Sequence, residues 1–539
     1  MVRFGRQRLL QMWSDRVLYP HWVRRHSLSQ AAIENSKVQI EQWQLQPKFS
    51  ILLPVYNVEA KWLKKAIESV RKQIYPGWEL CIADDASSNP EIKPLLIHYQ
   101  QLDPRIKVVF RSENGHISAA SNSALALATG EFLALLDHDD ELTIDALFEN
   151  AKLINQYPNA DFIYSDEDKI NGVGDRREPV FKPDWSPEYF HSTMYTCHLG
   201  VFRTELVRSI SGFRLGYEGS QDYDLVLRVM EQTDRIHHIP KVLYHWRSIA
   251  ASAASGSEAK PWAYQAGYRA LEAMLARSAY PGQVEETQLP GMYRVRREIT
   301  GQPLVSVVLV GEERSRQENR DRLRASSTYQ PLEFQAVEFL EDTIDPLPQR
   351  ISRAVDAATG EFVLLLNPDL VPKTPDWIEA MLEFAQQRAI GAVGAKILLP
   401  DHRIRGGGLV WLQAGPQTAF HHVDNHYPGY CGSNVLNRNY LAVSGDCLML
   451  RRAVFLELGG LDAALPSYWD VDLCLKAHQA GYRNVATPFA QGQLSHDRPR
   501  NPIELKLLQQ KWQSYLKAGD PYYNPNLSQR RATFEFGRC

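Results

Sequence analysis

The chain has 539 residues, with 60 Lys+Arg against 63 Asp+Glu for a formal charge of -3. Hydrophobic residues at 44% and charged residues at 23% describe a globular protein of two large domains or three average ones. Near-neutrality excludes a bulk nucleic-acid binder, six Cys without a C-x-x-C pair exclude a disulfide scaffold or zinc module, and no apolar run reaches the ~18 residues of a membrane-crossing helix.

Residues 1–47 form a basic leading segment. Up to His26 it holds six Arg (3, 6, 8, 16, 24 and 25) and one Asp, with Leu9, Leu10, Trp13 and Val17 at roughly helical spacing. Such a stretch suits an anionic membrane surface, with Trp at headgroup level. The alternative is a helix docked on the body with its Arg side chains solvated, and Pro20 shortens the amphipathic pattern. No long apolar core follows the first Arg residues, so a secretory signal is not expected. The expected compartment is the cytoplasm, with the inner face of the membrane as a peripheral site.

From Phe49 short apolar runs alternate with helical patterns. Ser50–Val55, Glu79–Ala83, Ile106–Phe110 and Glu131–Leu136 read as strands, and Trp62, Leu63, Ala66, Ile67 and Val70 as the buried face of a helix. This alternation predicts an α/β fold with a mostly parallel sheet covered on both faces. The polar residues fall where the strands end: Tyr56-Asn57, Asp84-Asp85-Ala86-Ser87 and Asp137-His138-Asp139-Asp140. Ligands of open α/β sheets bind at that edge. Carboxylates gathered there repel one another unless a cation sits among them. Hard oxygen ligands select Mg²⁺ or Mn²⁺, which could neutralise a diphosphate as a leaving group. No glycine-rich phosphate cradle is present.

These motifs resemble family 2 glycosyltransferases of the GT-A fold. The resemblance rests on Leu53-Pro54-Val55-Tyr56-Asn57, Asp84-Asp85-Ala86-Ser87, Glu113-Asn114-Gly115, Asn122, Ala128-Thr129-Gly130-Glu131-Phe132, Asp137-His138-Asp139-Asp140 and Gly219-Ser220-Gln221-Asp222-Tyr223-Asp224. The order is the family's and covers roughly residues 48–250. It is similar to bacterial enzymes of O-antigen and cell-surface polysaccharide synthesis, often built from two such domains. The resemblance implies an inverting, metal-dependent transfer from a nucleotide-diphosphate sugar, a UDP-sugar first, to a glycan or lipid-linked acceptor. It implies that Pro54 and Tyr56 line the uridine site, that Asp85 meets the uracil edge with Asp84 beside it, and that Asp137 contacts the nucleotide sugar. Asp137 and Asp139 form the D-x-D, with His245 as third metal ligand and Mn²⁺ or Mg²⁺ as the ion. Asp222 takes the place of the general base; Gln221 stands where the family usually has Glu. Trp185 is either a stacking platform for an acceptor sugar or a loop anchor, and Asp166-Glu167-Asp168 either a sugar contact or a solvated turn.

A second copy follows. Ala128-Thr129-Gly130-Glu131-Phe132 returns as Ala358-Thr359-Gly360-Glu361-Phe362, an offset of 230, and Asp222-Tyr223-Asp224-Leu225 as Asp470-Val471-Asp472-Leu473, an offset of 248. The difference marks an insertion in a segment with Gly406–Gly408, His421, His422 and His426. The three His read as a surface loop, since no acidic ligand is spaced to complete a metal site. Donor motifs are depleted: Gly311-Glu312-Glu313 replaces Pro-x-Tyr-Asn, Glu341-Asp342-Thr343 is a poor substitute for Asp-Asp-x-Ser, and Asn367-Pro368-Asp369 stands at the D-x-D. Asp470 remains base-like and His496 parallels His245.

The expected architecture is therefore two tandem GT-A domains behind a short basic helical segment: 1–47, the motif-complete domain 48–280, a linker 281–303, a degenerate domain 304–520 serving acceptor binding or architecture, and a loosely ordered tail 521–539. Two active domains, or a non-catalytic glycan-binding scaffold, are the alternatives. A sugar nucleotidyltransferase would want a glycine-rich basic loop after the first strand, where Tyr56-Asn57-Val58-Glu59 stands.

Overall fold

The computed structural model describes residues 17–248, 261–311, 316–337 and 345–536. They divide into two compact units. The first takes the residues up to Trp185 and Met194–Arg277; the second takes Ser186–Thr193 and those from Ser278 on.

In the first unit the apolar runs are strands: β1 (Phe49–Val55), β2 (Trp78–Asp84), β3 (Ile106–Phe110) and β4 (Phe132–Leu135). β1 and β2 are almost wholly buried because helices cover both faces, which is why they are apolar without alternation. The helix Ala60–Arg71 buries Trp62, Leu63, Ala66, Ile67 and Val70, the residues its spacing marks; each large apolar side chain contributes about 1.5–3 kcal/mol. These four strands pair in parallel in the order β3-β2-β1-β4. Chain order reverses between β1 and β4, which opens a crevice at their carboxyl ends.

Beyond β4 the sheet is mixed. β8 (Gly200–Arg203) runs antiparallel to β4 and to β6 (Phe162–Ile170), and β9 (Ile236–Arg247) runs parallel to β6. β5 (Glu141–Leu142) closes on β9, and β7 (Arg176–Val180) flanks β6. The mostly parallel sheet expected from the sequence thus describes β1–β4, and the antiparallel β8 brings a new strand end against the D-x-D.

A latch joins β1, β2 and β4. Glu79 accepts hydrogen bonds from Thr129 N (2.6 Å), Thr129 Oγ1 (2.8 Å) and Ser50 Oγ (2.7 Å), with Lys48 and Lys107 beside it. Gly130 N donates to Ser50 Oγ at 2.8 Å, and a Cβ at Gly130 would stand 2.5 Å from the Lys48 carbonyl oxygen. The Ala-Thr-Gly motif is therefore a structural element rather than a substrate contact.

The second unit orders its strands Leu332–Ala336, Val305–Leu309, Phe362–Leu366, Cys447–Arg451, Ile390–Leu398, Arg483–Gln493 and Val371–Pro372. This is the succession β2-β1-β4-β8-β6-β9-β5; β3 has no counterpart among the described residues. The latch is repeated by Glu333, Ser306, Thr359 and Gly360, with Glu333 accepting Ser306 Oγ at 2.5 Å and Thr359 N at 3.0 Å. The inserted region adds a three-stranded sheet of Gly408–Leu412, Gly415–Thr418 and Ala442–Val443.

Two boundary regions differ from expectation, and a third takes one of the two forms expected of it. Residues 281–303, read as a linker, hold an antiparallel hairpin of Gly282–Glu286 and Tyr293–Arg297. The tail is packed: Tyr522, Tyr523 and Phe534 are buried, because its aromatic residues find apolar partners. In the leading segment, Pro20 lies in the first turn of the helix Tyr19–His26, where its missing N–H costs no bond. Tyr19 and Trp22 are buried there, Trp22 edge-on to Phe181, while Arg24 and Arg25 are exposed. That is the docked arrangement for the described part; Leu9, Leu10 and Trp13 lie outside the described residues, as do Glu312-Glu313 and Glu341-Asp342-Thr343. No described helix is long and apolar enough to cross a membrane.

Candidate active site

The carboxyl edge of the first sheet carries the predicted residues. Pro54 pairs with Ala83 near the end of β1, and the Tyr56 side chain is exposed beyond it. Asn57 adopts φ 48°, and its Oδ1 accepts from Ser88 N (2.8 Å) and Asn89 N (3.0 Å), binding the first loop to the second. Asp84 ends β2; it is buried, and its Oδ1 has no hydrogen-bond partner among the described residues. A buried acceptor of this kind takes its hydrogen bond from a water or from a ligand group that displaces it.

Asp85 is engaged. Arg111 Nε donates to its Oδ1 at 2.7 Å, and Gly115 N at 3.0 Å. The Glu113-Asn114-Gly115 motif thus fixes the loop that carries Asp85. Asn122 likewise ties its helix to the loop before Asp222 through both its amide atoms, to Phe213 O (2.7 Å) and Phe213 N (2.9 Å).

Around the D-x-D, Asp137 is partly exposed and its backbone N–H donates to Tyr244 Oη at 3.2 Å. His138 offers Nδ1 to Tyr56 N at 3.4 Å and so spaces the two loops. Burial raises the Asp139 pKa, and the charge of Asp137 adds to that against the pull of His138. Asp140 is fully buried and accepts from Tyr244 Oη (2.6 Å) and Arg247 N (2.6 Å); burial and its two neighbouring carboxylates push its pKa well up. Carboxylates raised by burial and mutual repulsion are the donor set a divalent cation relieves.

The His beside them is His198. It forms with Asp137 and Asp140 a group whose ligand atoms lie within 4.8 Å of one another, and its Nε2 is 3.8 Å from Asp137 Oδ2. Glu167 holds it: Oε2 accepts the His198 backbone N–H at 3.0 Å and lies 3.2 Å from Nδ1. Burial alone would lower the His198 pKa, but Glu167, Asp137 and Asp140 raise it to about 9. A carboxylate on one imidazole nitrogen leaves the other for a metal.

His245 stands elsewhere. Its Nδ1 is 2.5 Å from Asp168 Oδ1, and it does not join the Asp137–Asp140–His198 group. Asp168 also accepts from Tyr19 Oη (2.5 Å) and Arg176 Nε (2.5 Å). Asp166-Glu167-Asp168 is therefore no solvated turn. All three are buried on β6, held by partners distant in sequence: Asp166 by His238 and the Lys182 N–H, Glu167 by Lys182 and His198. Trp185 packs edge-on to Phe162 and Tyr164, the anchoring arrangement.

Asp222 opens the helix Gln221–Val229, and its Oδ1 accepts its neighbour Tyr223 N at 2.8 Å. Burial raises its pKa; His198 pulls it down and Asp137 pushes it up, so its carboxylate lies within the field of the D-x-D cluster. Asp224, two positions on, is a structural group clamped by Arg214 and Arg228. The arrangement offers one carboxylate poised to take a proton beside a cation-seeking cluster.

The second unit differs at each point. Asn367 and Asp369 bond to each other, Oδ1 to N at 3.0 Å. Asp446, at the 248 offset from His198, pairs with Arg405 at 2.5 Å. Asp470 is gripped by Arg500 through both oxygens (2.8 and 3.0 Å) and by Arg498 (3.4 Å). Burial would raise its pKa, yet the two guanidiniums hold it down at about 2. His496 lies past the strand Arg483–Gln493; Gln493 takes the place opposite Val371 that His245 takes opposite Glu141.

Comparison with known proteins adds to this geometry. Residues 50–210 match the model of Glycosyl transferase family 2. An uncharacterized protein of Sinorhizobium fredii is 39% identical over 90% of this chain and 58% of its own length. The O-antigen biosynthesis protein RfbC of Myxococcus xanthus is 32% identical over 95% of this chain and 42% of its own. The chain therefore spans less than two thirds of either relative. The crystal structure of S. aureus TarS 1-349 in complex with UDP-GlcNAc is 23% identical, covering 43% of this chain and 67% of that one at a TM-score of 0.36.

Proposed function

From the premise that the chain belongs to glycosyl transferase family 2, we propose that its first unit transfers a sugar from a nucleotide-diphosphate donor to a hydroxyl of a glycan or lipid-linked acceptor, with inversion. The observation that carries this is Asp222: a carboxylate of raised pKa in the field of Asp137 and His198 at the sheet's carboxyl edge. A base in that position takes the acceptor proton while the hydroxyl attacks the anomeric carbon, and the sugar–phosphate bond breaks on the opposite side. One displacement inverts the configuration.

Pro54 and the exposed Tyr56 ring suit a base and ribose, and the unpartnered Asp84 Oδ1 suits a donor N–H or hydroxyl of the nucleoside. Asp85, occupied by Arg111 and Gly115, shapes this subsite. The donor set fits a divalent cation: Asp137 gathers with Asp140 and His198 in one group of possible ligands, Asp139 of the same D-x-D would join Asp137 in holding Mn²⁺ or Mg²⁺, and His245 stands behind the Asp168 ion pair. Bound there, the ion would stabilise the departing diphosphate. The second unit serves acceptor binding or architecture; the arginine-clamped Asp470 and the Asn367-Pro368-Asp369 turn support that role.

Incubating the full chain with a panel of nucleotide sugars and Mn²⁺ tests the proposal. Release of nucleoside diphosphate is expected for at least one donor and is expected to stop in Asp139→Ala. No turnover of any donor, or full transfer by Asp139→Ala, would overturn it.

A further inference from the structure

His421 and His422 come from the inserted region of the second unit, and their rings stand together, with centroids 4.0 Å apart. Adjacent side chains of an extended chain point apart. Here Phe420 and His422 both adopt positive φ, 57° and 60°, which turns the two imidazoles to one side. The turn is anchored: Phe420 is buried and stacked on Phe534 at 5.0 Å, Phe420 N donates to Ala532 O (2.9 Å), and His422 N to Ile404 O (2.8 Å).

The acidic partner that the sequence could not supply is Asp497, which follows the long strand Arg483–Gln493. Its Oδ1 is 3.5 Å from His421 Nε2, and the three residues offer ligand atoms that all lie within 4.8 Å. Tetrahedral zinc with bonds near 2.0–2.1 Å needs its ligand atoms about 3.4 Å apart. The His421–Asp497 distance already meets this, and the His422 ligand atom lies within 4.8 Å of both. His426 is turned away onto Asp424. Arg405 Nε lies 3.8 Å from Asp497, but Asp446 and the His496 carbonyl already hold that guanidinium.

We propose that His421, His422 and Asp497 form a second metal site, distinct from the D-x-D cluster and specific for a borderline divalent transition ion such as Zn²⁺. Two imidazoles and one carboxylate select Zn²⁺ over Mg²⁺ or Mn²⁺. All three residues are exposed, so the fourth position is open to water or to an acceptor oxygen. The ion would also cross-link the His421–His422 turn to the segment carrying Arg498 and Arg500.

The test uses chelator-treated full-length chain carrying Asp137→Ala and His198→Ala, which removes the first-unit cluster. Zn²⁺ is titrated by calorimetry in excess Mg²⁺, and Co²⁺ is followed by its visible absorption. One equivalent of Zn²⁺ and a tetrahedral Co²⁺ spectrum are expected. Adding His421→Ala with His422→Ala should abolish both, and Asp497→Asn, which keeps the side chain's shape, should weaken binding about 10-fold or more. Absence of zinc binding in the parent, or binding unchanged by the double His substitution or by Asp497→Asn, would overturn the proposal.

Discussion

Asp222 and Asp470 occupy the same place in two copies of one fold, yet their surroundings push their carboxylates in opposite directions. Burial raises Asp222 against the pull of His198, whereas Arg500 and Arg498 hold Asp470 at about 2. A carboxylate held that low is a poor proton acceptor near neutrality. The backbone repeat is common to both copies while their carboxylates are differently engaged, and both keep the latch, built on Glu79 in one and on Glu333 in the other.

The sharpest way to break this comparison is by activity. Asp222→Asn should reduce transfer by about 10²–10⁴-fold in single-turnover assays, while Asp470→Asn should leave it within about twofold. An equal loss would make the second unit a working active site. Stability should rank the pair the other way. Asp470→Ala takes the carboxylate from two half-buried guanidiniums that keep only backbone carbonyl partners, and should cost about 1.5–3 kcal/mol in chemical denaturation; Asp222→Ala loses one local bond and should cost about 1 kcal/mol or less.

The same ion pair predicts a pH dependence. The folded pKa of Asp470 lies at about 2, below the ordinary 3.8, so its contribution is fully present above that ordinary value and is lost as pH falls through about 2. Acid denaturation should therefore steepen between about pH 4 and 2, by up to about 2 kcal/mol, and flatten in Asp470→Ala. The smallest effect should be shared by both units: Glu79→Gln and Glu333→Gln should each cost about 1 kcal/mol in thermal unfolding. A cost in only one would show that the latches are not equivalent.

Much of this was legible in one dimension. Apolar runs ending in Asp84-Asp85 and Asp137-His138-Asp139 located β2 and β4 and put their carboxylates on one edge, because a parallel strand buried on both faces must be apolar until it emerges. Asp222 and the two offsets were equally readable. His198 was not, since nothing near Thr196-Cys197-His198 in sequence marks a ligand, and only the antiparallel pairing of β8 with β4 carries it to Asp137. Asp166-Glu167-Asp168 read as a possible turn because three adjacent acids suggest solvent, whereas Lys182, His198, His238, His245, Arg176 and Tyr19 arrive from afar to bury them.

By itself, then, the sequence determined the repeat, the strand ends and the inventory of acids and bases, since these follow from local periodicity and spacing. Which of these acids is raised and which is held low was decided only in three dimensions. Asp222-Tyr223-Asp224 and Asp470-Val471-Asp472 are nearly the same text, and it is Arg498 and Arg500, folded back onto one of them, that hold Asp470 in an ion pair while burial raises Asp222.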